Sequence, residues 1–174
     1  MTRAFYIAPP DLRLPNGDGR AIVVGETLEV AGPLSLCSLG LHASEHVLDA
    51  AGYRGVGCLT LVELSGDIVE GDDKLCATRR KTLAILSEKE TARVLRLITC
   101  CAAEMAIGWS GEEPDQRSVD AIDCARRFAE GRASQAELTA AARAAAWAAE
   151  RDAAWDALHD MADRMALEAL GVRR

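Results

Sequence analysis

The sequence predicts an α+β fold: a small, mostly antiparallel sheet in the N-terminal half, packed against or followed by about three α-helices. Three observations predict it. Short β-like runs punctuated by Gly and Pro fill the first 86 residues. Two S-x-x-E patterns, at Ser87–Glu90 and Ser134–Glu137, are capping boxes that open helices. Beyond Ser87 the apolar residues recur at helical spacing. The expected organisation is a β-rich domain over 1–86 with one short helix and a helical region over 87–174, with helices near 87–108, 114–130 and 134–170.

The elements follow in order. "AFYIAP" (4–9) opens the sheet, and "PNGDG" (15–19) is turn chemistry. "AIVVG" and "TLEVAG" (21–32) read as a strand or hairpin arm, and "LSLCSLGL" (34–41) as another strand. Ser44 is placed to cap a short helix, Glu45 to Ala51, which Gly52 stops. "GCLTLVELSG" (57–66), bounded by glycines and rich in aliphatic residues, is the strongest strand, and "DIVEG" extends or returns it. "KLCATRRKTLAIL" (74–86) reads as the final strand.

The first long helix puts Val94, Ile98, Cys101 and Met105 on one stripe and stops near Gly108. Pro114 begins a second, which carries Ile122, Ala125 and Phe128 and ends at Gly131. The third, from Ser134 to about Leu170, would be roughly 50 Å long. Its first half, "AELTAAARAAAWAAE", favours helix but buries little. Its second half places Trp155, Leu158, Met161, Ala162 and Met165 on the face of Trp147. Asp152, Asp156, Asp160 and Asp163 gather opposite, facing water.

Composition narrows the function classes. Apolar residues make up 49% of the 174, enough for a core, but aromatics are 4% and much of the rest is alanine. The net charge of −7 is spread over both halves and no basic cluster stands out, which disfavours direct nucleic-acid binding. No run approaches the roughly 20 apolar residues of a membrane helix, and the first 20 residues lack the apolar core of a secretion signal. The chain reads as a cytoplasmic protein that needs no membrane. Cys37, Cys58, Cys76, Cys100, Cys101 and Cys124 include no C-x-x-C pair, so they read as buried free thiols, with no metal and no cofactor implied.

The order of "LCSLGLHAS" (36–44), "LTLVELSG" (59–66) and "DDKLCATRRKTLAIL" (72–86) resembles an uncharacterised family found in phages, prophages and actinobacterial genomes. Its members share a Cys…Gly-Leu-His signature, a VEL-G strand, an Asp-Asp-Lys segment and Ala-Trp-rich C-terminal helices. "AAARAAAWAAERDAAWDA" (140–157) matches that tail, and residues 125–149 also resemble putative toxin-immunity proteins. The resemblance implies a phage or mobile-element setting and action against a host (defence) complex.

Two sets of candidate residues follow. His42, just before the short helix, is set either to act as a neutral base or hydrogen-bond donor, or to tie the strand end to a backbone carbonyl. Glu63 lines up with Leu59 and Leu61 on one face of its strand, so it either reaches the sheet rim or meets a cation, with Lys74, Arg79 and Arg80 as candidates. With Tyr53 or Ser44 nearby, His42 and Glu63 would form a nucleotide-ligand enzyme of the ADP-ribosyl-transfer type. Asp72, Asp73 and Lys74 read as a turn of solvated charges, and His46 and His159 as surface residues. The second set, Trp147, Trp155, Leu158 and Met161, is the anchor set for a partner protein. The leading expectation is a non-catalytic interaction module that binds a host or phage protein. Close helix approach through the Ala-rich segment would also allow a homo-oligomer.

Overall fold

The structure is a computed structural model that describes residues 1–15, 18–110, 114–145 and 155–172. The N-terminal half forms one antiparallel sheet of five strands: β1 (Thr2–Ala8), β2 (Thr27–Glu29), β3 (Leu41–Ala43), β4 (Cys58–Glu70) and β5 (Leu75–Ile85). The order is β1-β4-β5-β2, with β3 also paired to β5. One short helix, α1 (Val47–Tyr53), lies in this half, and helices α2 (Glu88–Ser110), α3 (Gln116–Ala129), α4 (Gln135–Ala145) and α5 (Trp155–Ala169) follow. This is the α+β class the sequence predicts.

The chain divides into two compact units. The first comprises residues 1–91 and 162–174; the second is residues 92–161. The last part of α5 therefore belongs with the sheet.

In the first unit β4 is the central strand, and its composition explains why. Leu59 and Leu61 on one face and Val62 and Leu64 on the other are all buried, as a strand covered on both sides requires. β1 pairs with it from Thr2↔Leu64 to Ala8↔Cys58. β5 pairs on its other edge through two irregularities, one between Ser65 and Ile68. Gly66 sits in that irregularity with a φ of +77°. A β-carbon there would collide with the Thr78 hydroxyl, which instead accepts a hydrogen bond from the Asp67 amide at 3.0 Å. Ala4, Ala43, Val62, Leu64, Leu75 and Ala77 form one buried cluster; Ala8, Leu14, Ile22, Leu41 and Cys58 form another.

Three local expectations are corrected. Residues 34–40 are a tight loop, not a strand. Ser35 and Leu39 close it with paired backbone hydrogen bonds of 2.8 and 2.9 Å, and Cys37 adopts a φ of +66° that no strand accommodates. Of residues 21–32, only Thr27–Glu29 is strand, because Val23 and Val24 turn outward to solvent. Ser44 does not cap α1. It is buried and bridges to Phe5 through two backbone hydrogen bonds of 2.7 and 2.8 Å. α1 then begins at Val47 and runs through Gly52 to Tyr53.

In the second unit, Asp115 caps α3 by accepting from the Arg117 amide. α3 and α4 pack on each other. Arg96 of α2 stacks over the Phe128 ring at 4.7 Å, and Arg126 of α3 meets both oxygens of Glu104 at 2.7 Å. The helix expected over 134–170 is described as α4 and α5; residues 146–154, including Trp147, lie outside the described residues. Both S-x-x-E boxes close as expected, with the Ser87 and Ser134 amides donating to Glu90 and Glu137 at 3.0 and 2.8 Å.

Candidate functional site

The Cys…Gly-Leu-His and Asp-Asp-Lys segments meet in the first unit. Cys37 is the exposed cysteine of the six, which corrects its reading as a buried thiol. Its sulfur lies 2.9 Å from Lys74 Nζ. The same ammonium sits 4.0 Å over the ring of Tyr53, at the C-terminal end of α1. The Tyr53 hydroxyl donates to Asp73 Oδ2 at 2.5 Å. His42 Nε2 accepts from the Cys37 amide at 3.1 Å. His42 thus holds the turn that presents Cys37, as an acceptor from a backbone amide. The turn sequence is constrained too: Gly40 has a φ of +134°, and a β-carbon there would run into Cys76 Sγ and the Leu34 side chain.

The electrostatics are one-sided. Burial, then Lys74 and Arg80, push His42 below an ordinary histidine, so it is neutral and able to accept from Cys37. Cys37 and then Tyr53 hold Lys74 above an ordinary lysine, so it stays an ammonium. Asp73 raises Tyr53, with Lys74 partly opposing it. Arg80 is 2% exposed. Its Nη1 donates to the His42 carbonyl at 2.6 Å and its guanidinium stacks over Tyr6 at 3.9 Å. Its Nε and Nη2 have no hydrogen-bond partner among the described residues, and burial pulls its pKa down.

Glu63 is not part of this cluster. Its strand neighbours are Arg3 on β1 and Lys81 on β5, in place of Lys74, Arg79 or Arg80. His42 lies opposite Cys76. Cys76 and Lys81 are five residue steps apart along β5, a run of about 17 Å at roughly 3.4 Å per residue. Cys37 and Lys74 link His42 to Tyr53, and the strand register leaves Glu63 elsewhere.

A second cluster escaped the sequence reading. Asp163, expected to face water, is 6% exposed. Its Oδ1 accepts from the Val47 amide at 2.7 Å, and its Oδ2 lies 2.8 Å from His46 Nδ1. His46, the N-cap residue of α1, makes no side-chain cap of its own, so a carboxylate 116 residues further on supplies it. Burial works to lower His46, but Asp163, aided by Asp49 and Glu45, outweighs it and raises the pKa. Beside Asp163 a cavity of about 170 Å³ is lined by Arg3, Phe5, Glu45, Leu61, Leu167 and Val172.

The second unit carries a groove of about 220 Å³ walled by Ile107, Val119 and Ile122, with Glu104, Asp123 and Arg126 on its rim. Of the expected anchors, Leu158 and Met161 are half-buried on α5, whereas Trp147 and the side chain of Trp155 lie outside the described ones. His159 is 7% exposed, which corrects its reading as a surface residue. Among the described residues no group of three or more His, Cys, Asp and Glu side chains is arranged to hold a metal ion. No described helix is long and apolar enough to cross a membrane.

Residues 15–94 match the family model described as Domain of unknown function (DUF7666). The match takes in Cys37, His42, Tyr53, Asp73, Lys74 and Arg80 and ends early in α2. No curated protein and no solved structure matches the chain.

Proposed function

We propose that the chain is a non-catalytic protein-interaction module of phage or mobile-element origin. In this reading its helical unit takes up an amphipathic helix of a host protein and so inhibits a host complex. The observation that supports the reading is how little α3 and α4 bury among the described residues. α3 has 14 residues in an amphipathic pattern, yet Cys124 is its one buried side chain. The described side chains of α4 include none that is buried. Val119, at 37% exposure, and Ile122 remain at a groove ringed by charge. Apolar side chains held open in this way are what a partner helix covers with anchors at i, i+3 and i+4.

The net charge of −7 favours a partner with a basic rim, drawn in by long-range attraction. The phage and host setting rests on the order of the Cys…Gly-Leu-His, VEL-G and Asp-Asp-Lys segments. The sequence assigns Trp147 and Trp155 as the aromatic anchors of this reading, and Leu158 and Met161 as its aliphatic ones.

The test is capture from a host lysate by immobilised chain, followed by binding of the captured protein in purified form. Ile122→Asp and Trp147→Ala are each expected to weaken that binding by about tenfold or more. Undiminished binding of the purified partner by both variants would refute the reading.

A further inference from the structure

We propose that Cys37 is a reactive thiol, oxidised by hydrogen peroxide or another small hydroperoxide to a sulfenic acid, with Lys74 as its positioning cation. The inference stands apart from the interaction reading, because every residue it uses lies in the first unit.

Access comes first. Cys58, Cys76, Cys100 and Cys124 are buried and Cys101 is half-buried, which leaves Cys37 in solvent. Charge comes second. The Cys37 sulfur is 2.9 Å from the Lys74 ammonium, which is pinned by the Tyr53 ring 4.0 Å beneath it. Because Cys37 and Tyr53 both favour its charged form, Lys74 acts as a cation and not as an amine nucleophile. Asp73, the carboxylate of the cluster, is engaged by the Tyr53 hydroxyl. A second cation, Arg80, sits behind on the His42 carbonyl. Negative charge that develops on the Cys37 sulfur is therefore stabilised as it forms. Position comes third. The bond from the Cys37 amide to neutral His42 and the Ser35–Leu39 closure keep the thiol turned outward.

In the reaction, a sulfur lone pair attacks one oxygen of the peroxide. The thiol proton passes to solvent first, so the thiolate attacks; the S–O bond forms as the O–O bond breaks, and the leaving hydroxide takes a proton from solvent to become water. Sulfur is oxidised by two electrons and the peroxide is reduced by two. Lys74 stabilises the anionic sulfur during attack and then donates to the new oxygen.

The test uses the fully reduced full-length chain, treated with hydrogen peroxide in the presence of dimedone, with adducts counted peptide by peptide by mass spectrometry. Cys37 is expected to be labelled first, and Lys74→Met to slow its labelling by about tenfold. Lys74→Arg, which keeps the charge, is expected to stay within about threefold of wild type. Raised salt is expected to slow the wild type by screening the exposed ammonium. Labelling of Cys101 as fast as Cys37 would overturn the proposal, and so would wild-type rates in Lys74→Met. If Lys74→Met exposes the buried thiols, the wild-type salt series decides, and a flat series overturns the proposal.

Discussion

The sheet unit and the helical unit bury side chains in different ways. In β4 alone, Leu59, Leu61, Val62 and Leu64 are buried, on both faces of the strand. In the 14 residues of α3 only Cys124 is buried. Alanine accounts for part of this contrast: it makes α4 a willing helix but gives its neighbours a single methyl to cover. The lesson is that one chain can combine a densely buried sheet with helices whose described side chains stay largely open.

Paired truncations test that contrast at its largest. Leu61→Ala, at a site 1% exposed, is expected to cost about 2–5 kcal/mol in chemical denaturation. Ile122→Ala, half-buried at the groove, is expected to cost about 1 kcal/mol or less. Equal losses would break the comparison.

A smaller effect sharpens it within the first unit. Gly40→Ala imposes both a strained φ of +134° and a collision with Cys76 and Leu34, and is expected to cost about 1–3 kcal/mol. The same variant should loosen the Cys37 turn, seen as faster exchange of the amide that His42 accepts.

The smallest effect is the pH profile, where two histidines of the first unit work in opposite directions. His46 has a raised pKa, so its contribution is complete below the ordinary value of 6.5 and is lost as pH rises through the raised one. His42 has a lowered pKa, so its contribution is complete above 6.5 and is lost as pH falls through the lowered one. Stability measured against pH should therefore be greatest near neutrality. Asp163→Asn should flatten the alkaline limb and His42→Gln the acidic one. The His46 limb is worth less than about 1 kcal/mol, because the imidazole is 40% exposed and solvent screens it. An unchanged alkaline limb in Asp163→Asn would show that His46 is not held by that carboxylate.

The parts of the fold that were legible in the sequence were the ones with a strong local signal. The aliphatic run 57–66 became β4, and the two capping boxes opened helices at 88 and 135. The strand expected over 34–41 failed for a local reason as well. Its apolar residues suit a strand, but the backbone at Cys37 and Gly40 takes conformations that no pattern of hydrophobicity reports.

Long-range pairings were out of reach. Asp163 reads as one of four aspartates on a helix face, and nothing in its neighbourhood says that Val47 and His46 will claim it. Glu63 was expected to reach the sheet rim or to meet Lys74, Arg79 or Arg80. Which cation depended on strand register, which put Arg3 and Lys81 beside it. The Cys37 cluster was half legible: its two segments stood out as motifs, but their meeting depended on how β3 pairs with β5.

Native-state amide hydrogen exchange tests the central contrast most directly. If the sheet holds itself and the helical unit is left open for a partner, amides of Leu59–Leu64 will exchange at least about 100-fold more slowly than those of Val119–Phe128. Equal protection in the two segments would contradict it.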